Sequence, residues 1–317
     1  MELPDIIKRK KRFVRDNSVQ IQITKRDIEI LKLIYTHRLM TSDQIISLAG
    51  KKRKSILKRL HLMFHAGFLD RPKSQLLTFG NNSPMIYAIG NRGAEIIAKE
   101  YSDPSVLKIN WTEKNKNCKT MFLSHTIMVS EFLTTIQLAC QKINGLEYID
   151  AGEIINNRPV PAPDGVDPLS WKVEGKTHRK FSFSIIPDGA FGLRINQDGK
   201  ETVYYYFIEA DRATMPVVRH NLIRSSIYKK LVGYSTSMND KLFGKNFGFK
   251  RVFVLLITTS EERIGNMVKL NKGIHPQGKG FRLFKFADIR VVDLENPINL
   301  LGFSWINGQG DPVNIIN

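Results

Sequence analysis

Residues 187–211 read PDGAFGLRINQDGKETVYYYFIEAD. At the centre, Asp198-Gly199 is the strongest short hairpin signal, because both residue types tolerate the positive φ of a two-residue type I′ turn. With that turn, Gln197 pairs with Lys200 and the ladder steps outward one residue on each arm. Thr202 to Phe207 are all β-branched or aromatic, so the second arm reads as a buried strand whose tyrosines, Tyr204, Tyr205 and Tyr206, pack its two faces. The same register puts Asp188 directly opposite Glu209 on one face, with β-carbons about 4.5–5.5 Å apart. Asp211, two residues on, points to that face too.

Like charges so placed are destabilising unless a cation or a proton lies between them. The pair suits a hard divalent ion, since Mg²⁺ takes one or two carboxylates, keeps several waters and meets phosphate oxygens. The alternative is that Asp188 only follows a loop proline while Glu209 and Asp211 open a loop. A bulge would also shift the register by one and separate them.

Downstream, a helix is expected over VVRHNLIRSSIYKKLVGY (217–234), a short apolar strand over RVFVLLITT (251–259), a helix over SEERIGNMVKL (260–270) and a strand over FRLFKF (281–286). Upstream, MFLSHTIMVSEFLTTIQLACQK (121–142) is a long helix with Leu123, Ile127, Thr134 and Leu138 on one stripe, and Glu131 sits within it. Residues 156–168 are loop-rich. Helices alternating with strands in this way imply an α/β layered architecture.

The N-terminal third follows another pattern. Thr24 and Asp27 are spaced to cap a helix reciprocally, with Ile28, Leu31, Ile34 and Tyr35 as its apolar face. A short helix follows, capped at Thr41 or Ser42 and stopped at Gly50. A third runs through KKRKSILKRLHLMFHAG (51–67), burying Ile56, Leu57, Leu60 and Phe64. FLDR (68–71) and PMIYAI (84–89) form a hairpin, and another helix begins near Arg92. Helix, short helix, basic helix, hairpin is the order of a winged helix-turn-helix, whose third helix enters the major groove. Lys51, Lys52, Arg53, Lys54, Lys58 and Arg59 lie on its N-terminal half, where base edges and phosphates would be. The competing explanation is a solvated basic face. The polar stretch 101–120 is the expected domain boundary, giving a basic arm (1–20), a winged helix (21–105) and a C-terminal domain (118–317).

Charge supports a polyanionic partner. The chain has 317 residues and a net charge of +18. Residues 1–100 carry 20 Lys/Arg against 9 Asp/Glu, and the other 217 carry 28 against 21, so the excess is clustered. Double-stranded DNA is the expected partner. No apolar run approaches the roughly 18 residues of a membrane span, and no secretory core follows the basic start. Cys118 and Cys140 have no ligand spacing and fit a reducing, cytoplasmic setting.

Pro187-Asp188, a hairpin and Glu209-Ala210-Asp211 together resemble the PD-(D/E)XK motif of restriction-endonuclease-like nucleases. Asp211 stands where that motif has lysine. Some members carry an acid there and others move the lysine to a following helix, for which Lys230 is the match, with Lys229 as runner-up. Lys230 lies beside Ile223, Ile227, Leu231 and Tyr234, an odd setting for a solvated lysine. Many such folds add a helix glutamate to the metal cluster, and Glu131 corresponds.

The full order is narrower: an N-terminal winged helix, LSHTIMVSEFL, PDGAF, FIEADRAT and KKLVGY resembles the replication-relaxation family over roughly residues 20–300. That family includes MobC-type plasmid relaxases, which nick DNA at an origin of transfer. The resemblance implies a restriction-endonuclease-like mixed sheet flanked by helices. It also implies Mg²⁺ or Mn²⁺ on Asp188 and Glu209 with Glu131 assisting, Lys230 acting on water or phosphate, and Asp211 as a variant catalytic residue. Other mobilisation or replication proteins would be partners. Some members are DNA-binding proteins without demonstrated cleavage, so a catalytically inactive accessory or regulatory protein is the alternative.

Three other patterns carry less. GIHPQGKG (273–280) lacks the hydroxyl residue and the preceding strand of a phosphate loop. His61 and His65 have zinc-like spacing without a third ligand. The tyrosine triplet has no accompanying histidine cluster of the kind tyrosine relaxases use.

Overall fold

The computed structural model describes residues 12–50, 52–80, 82–163, 165–176, 180–213, 226–275, 278 and 280–316. By compactness the chain divides into two units, Met1–Thr134 and Thr135–Asn317.

In the first unit, helix α1 (Lys25–His37) opens on the expected reciprocal cap between Thr24 and Asp27. Its buried stripe is Asp27, Ile30, Leu31 and Ile34, with Ile28 and Tyr35 only at the margin. Strand β1 (Met40–Thr41) leads into helix α2 (Ser42–Ala49), which is capped by Thr41 and closed by Gly50 at φ 59°. Helix α3 (Arg53–His65) buries Ile56, Leu60, Met63 and Phe64; Met63 takes the place expected for Leu57. Strand β2 (Leu69–Asp70) pairs with β3 (Ile86–Ile89) across a connection that contains the short helix α4 (Gln75–Phe79). β1 pairs with the other edge of β3, giving a three-stranded antiparallel sheet. Helix α5 (Asn91–Glu100) follows.

Part of the polar stretch 101–120 packs on the core of this unit. Val106 and Trp111, the latter opening helix α6 (Trp111–Lys116), join the core of α1 and α3, and the Trp111 indole donates to the Val106 carbonyl at 2.9 Å. Leu123 and Ile127 of helix α7 (Thr120–Lys142) pack on Leu39, Ile86 and Ala88. The division between units falls inside α7. Residues 12–20 of the expected arm are also engaged. Arg15 donates to the Phe64 carbonyl and is ion-paired with Asp70, and the Asp16 amide donates to His65 Nδ1 at 2.8 Å.

The second unit is a seven-stranded mixed sheet flanked by helices. Strand β4 (Leu146–Ile149) and helix α8 (Ala151–Asn156) precede a separate two-stranded sheet, β5 (Trp171–Lys176) against β6 (Lys180–Ile185). The chain leaves β6 before Pro187, which has no N–H to give a ladder, and enters β7 (Gly189–Gln197) in the main sheet. β7 pairs with β8 (Lys200–Ala210) in the expected register, Gln197 opposite Lys200 and Gly189 opposite Ile208. Asp198 and Gly199 both have positive φ, 51° and 74°. The helix expected over 217–234 falls partly outside the described residues at 217–225; its described part is α9 (Ile227–Asn239), capped by Ser226.

Helix α10 (Leu242–Phe247), strand β9 (Val252–Thr258), helix α11 (Glu261–Ile274) and strand β10 (Phe284–Asp288) continue the layering, with β8, β9 and β10 mutually parallel. After a short helix, α12 (Asn299–Gly302), the strands β11 (Trp305–Asn307) and β12 (Pro312–Val313) complete one edge, in the order β12-β11-β10-β9-β8-β7-β4. Parallel central strands are covered on both faces, which is why β9 reads as an uninterrupted apolar run. One face carries Phe207, Val254, Leu256, Phe284 and Phe286 against Ile227, Leu231, Tyr234 and Met267 of α9 and α11. On the other face Tyr206 stacks on Phe191 at 4.7 Å, while Tyr205 stacks on Phe249 on the first. Gly233 lets α9 approach β6: a β-carbon there would lie 2.4 Å from Ile185 Cδ1.

Candidate functional site

The β7–β8 ladder ends at Gly189 and Ile208, and the next position outward holds Asp188 and Glu209. The Asp188 amide still donates to the Ile208 carbonyl at 2.9 Å, and the Ala210 amide donates to Asp188 Oδ2 at 2.8 Å. These bonds fix the Asp188 carboxylate against the end of β8. Glu209, only 1% exposed, faces α9. There Lys230 and Tyr234, four residues apart on one helical face, supply its partners. The Tyr234 hydroxyl donates to Oε1 at 2.6 Å, and the Lys230 ammonium is ion-paired with Oε2. The same ammonium reaches Asp188 Oδ2 at 3.5 Å.

A half-buried cation is therefore shared by the two carboxylates that the hairpin register brings together. Burial pushes the Glu209 carboxyl well above the usual carboxylate range, with Lys230 opposing and Asp188 reinforcing the shift. Burial works against the Lys230 ammonium, but Glu209 and Asp188 outweigh it and hold its pKa above the ordinary lysine value. Burial likewise raises Tyr234, so its hydroxyl stays a donor.

Asp211 does not share these contacts. Its carboxylate accepts from Thr258 Oγ1 at 3.0 Å and from Arg263 Nη2 at 2.9 Å, and Arg263 Nε forms a second bond to it. Glu131 stands on α7 within the first unit, half-buried, and burial raises its carboxyl. Lys229 places its ammonium 4.7 Å from the Phe183 ring centre. From sequence Tyr234 was only an apolar-face neighbour of Lys230, and Arg263 and Thr258 carried no signal. Tyr234 had a usable signal, the four-residue step from Lys230; the partner of Arg263 is 52 residues distant and left none.

Among the described residues no group of three His, Cys, Asp or Glu side chains is placed to hold a metal ion. Two carboxylates are nonetheless enough for a hydrated Mg²⁺ or Mn²⁺ that completes its shell with water and phosphate oxygens. The donor set of Asp188 and Glu209 fits such an ion, and the Lys230 ammonium marks where positive charge is already held.

On α3, Lys52, Arg53, Lys54 and Lys58 are exposed at the N-terminal half, while Lys51 lies outside the described residues. Arg53 pairs with Asp43 at 2.7 Å. Arg59 is committed inward: its guanidinium makes two bonds to the buried Asp27, at 2.7 and 2.6 Å, and one to the Gln22 carbonyl. His61 and His65 meet edge to face, with His65 accepting from the Asp16 amide. Of the GIHPQGKG segment, residues 276, 277 and 279 lie outside the described residues.

A family model described as replication-relaxation matches residues 31–251. No curated protein and no solved structure matches the chain.

Proposed function

The chain belongs to the replication-relaxation family, which points to a role in replication or mobilisation, and on that premise we propose that it is a DNA-nicking enzyme. It would hydrolyse one phosphodiester at an origin-like site of a plasmid or integrative element, with Mg²⁺ or Mn²⁺. In this proposal residues 21–105 are a winged helix-turn-helix that docks duplex DNA, with residues 1–20 as a basic arm. Residues 118–317 are a nuclease domain of the PD-(D/E)XK type. The order α1, β1, α2, α3, β2, α4, β3 supports that reading, with the short α4 inserted between the two wing strands, and the exposed lysines of α3 would face the groove if α3 is the recognition helix. Among the described residues no helix is long and apolar enough to cross a membrane.

The observation that carries the proposal is the Lys230 ammonium shared by Asp188 and Glu209. Those two carboxylates would hold the ion, whose chemistry is to polarise the phosphate and ease deprotonation of the attacking water. Lys230 stays protonated, because its neighbours raise its pKa. It therefore serves as a donor to the phosphate oxygens rather than as a base. Tyr234 holds one oxygen of Glu209 and leaves the other turned to Lys230. Glu131 would assist through a water. Asp211, saturated by Arg263 and Thr258, would shape the end of β8 without joining the reaction.

The competing function is a sequence-specific DNA-binding accessory or regulatory protein without cleavage. One observation favours it: the position at which the motif has lysine carries an acid already neutralised by arginine. Supercoiled plasmid with the cognate origin, incubated with Mg²⁺ or Mn²⁺, separates the two. Nicking by the native chain and its loss in Asp188→Ala and Glu209→Ala are expected. Tight binding with no relaxation under either metal would establish the regulator instead.

A further inference from the structure

At the carboxyl end of β10, two strands from Glu209, the second unit has a half-open pocket of about 640 Å³. Ligands of open α/β sheets bind outside the carboxyl ends of parallel strands, and this volume is in the range of specific binding pockets. Its floor is apolar: Phe286 is fully buried, Ile264 and Val291 nearly so, while Phe303 is 41% exposed beside the opening. Its lining is acidic, with Glu261, Asp293 and the buried Asp288 against one cation, Arg290.

That cation is already spent. Arg290 donates to Asp288 at 2.9 Å and to Glu261 at 3.1 Å, so one positive charge is shared by two carboxylates and the lining keeps a net negative charge. Asp293 is held in place by the amides of Glu295 and Asn296 at 2.8 and 3.2 Å, which fixes a carboxylate at the rim. An acidic, apolar pocket in a chain of net charge +18 is the wrong surface for a phosphate backbone and the right one for a cation beside an apolar side chain.

We infer that this cavity docks an extended segment of a partner protein that presents a leucine- or phenylalanine-type side chain flanked by lysine or arginine. The apolar side chain enters between Phe286 and Phe303, and the flanking cations meet Glu261 and Asp293. The site is separate from the Asp188–Glu209–Lys230 cluster and does not depend on cleavage.

The probe is a fluorescein-labelled octapeptide alternating lysine with leucine, titrated with the full chain and read by fluorescence anisotropy. Saturable binding is expected, weakened by about tenfold or more in Ser304→Trp, which fills the opening, and in Glu261→Lys, which reverses the rim. Replacing the peptide's leucines by serine should abolish binding. Equal affinity for both variants and the native chain overturns the inference, as does absence of saturation below about 1 mM. Displacement of the peptide by a single-stranded oligonucleotide would make nucleic acid the occupant and overturn it as well.

Discussion

Lys230 lies between Asp188 and Glu209, the place a divalent ion would take under the proposed function, so the two cations would compete. Removing the ammonium while keeping the side-chain volume should expose that competition. Lys230→Met is expected to bind Mn²⁺ about tenfold or more tighter than the native chain in the absence of DNA, a difference of about 1.4 kcal/mol. It should nick plasmid far more slowly, having lost a donor to the phosphate. Calorimetric titration of both proteins tests this; equal or weaker affinity in the variant would show that lysine and metal do not share the site. The pH dependence has a definite sign. Glu209 has a raised folded-state pKa, so its protonated form contributes stability below the ordinary carboxylate range, and that contribution is lost as pH rises through the folded value. The same ionisation is what a cation needs. Mn²⁺ affinity should therefore climb with pH across that interval in the native chain, and climb less in Glu209→Gln. The residue-level prize of the sequence was Lys230, visible because a lysine at an apolar helical spacing demands a partner. Asp211 was less legible: it lies just beyond β8, and only the fold brings Arg263 to it.

Helices α1 and α3 are joined by an ion pair that the sequence presented as two unrelated signals, a capping residue and a basic patch. Asp27 caps α1 and also receives the fork of Arg59. Breaking a bidentate pair at a buried carboxylate leaves charge unpaired, so Asp27→Asn should destabilise the first unit by about 2–3 kcal/mol, measured by chemical denaturation. Burial opposes the Asp27 carboxylate, but the bonds from Arg59 and Thr24 prevail and lower its pKa. A depressed carboxyl gives stability that is present above its unfolded value and lost as pH falls through its folded value. The native unit should accordingly weaken in acid more steeply than the variant. Elements governed by neighbours in sequence were readable: the Thr24–Asp27 box, the Thr41 cap, the Gly50 stop and the Asp198-Gly199 register. Elements governed by distant partners were not. β1 is two residues long, β5 exists by pairing with β6, and Trp111 lies in a polar stretch whose core contacts come from α1 and α3.

Over the whole molecule, a net charge of +18 means that the proposed polyanion binding would be salt-dependent, and the structure says which charges would be available for it. Lys52, Lys54 and Lys58 are exposed on α3, whereas Arg59 is held by Asp27 and Gln22. Basic residues clustered in sequence thus divide into two kinds, free cations and structural ones, and salt dependence distinguishes them. Each phosphate contact contributes a slope of about −0.9 to the plot of log affinity against log salt. Replacing Lys52, Lys54 and Lys58 together by alanine should flatten that slope by up to about 3 on a duplex of fixed length, with little change in folding stability. Arg59→Ala should do the reverse, lowering the denaturation midpoint while leaving the slope of the surviving folded protein nearly intact. Anisotropy titrations at several salt concentrations decide the matter. A slope unchanged by the triple substitution would remove α3 from the DNA interface, and a slope changed by Arg59→Ala alone would show that the Asp27 pair opens on binding.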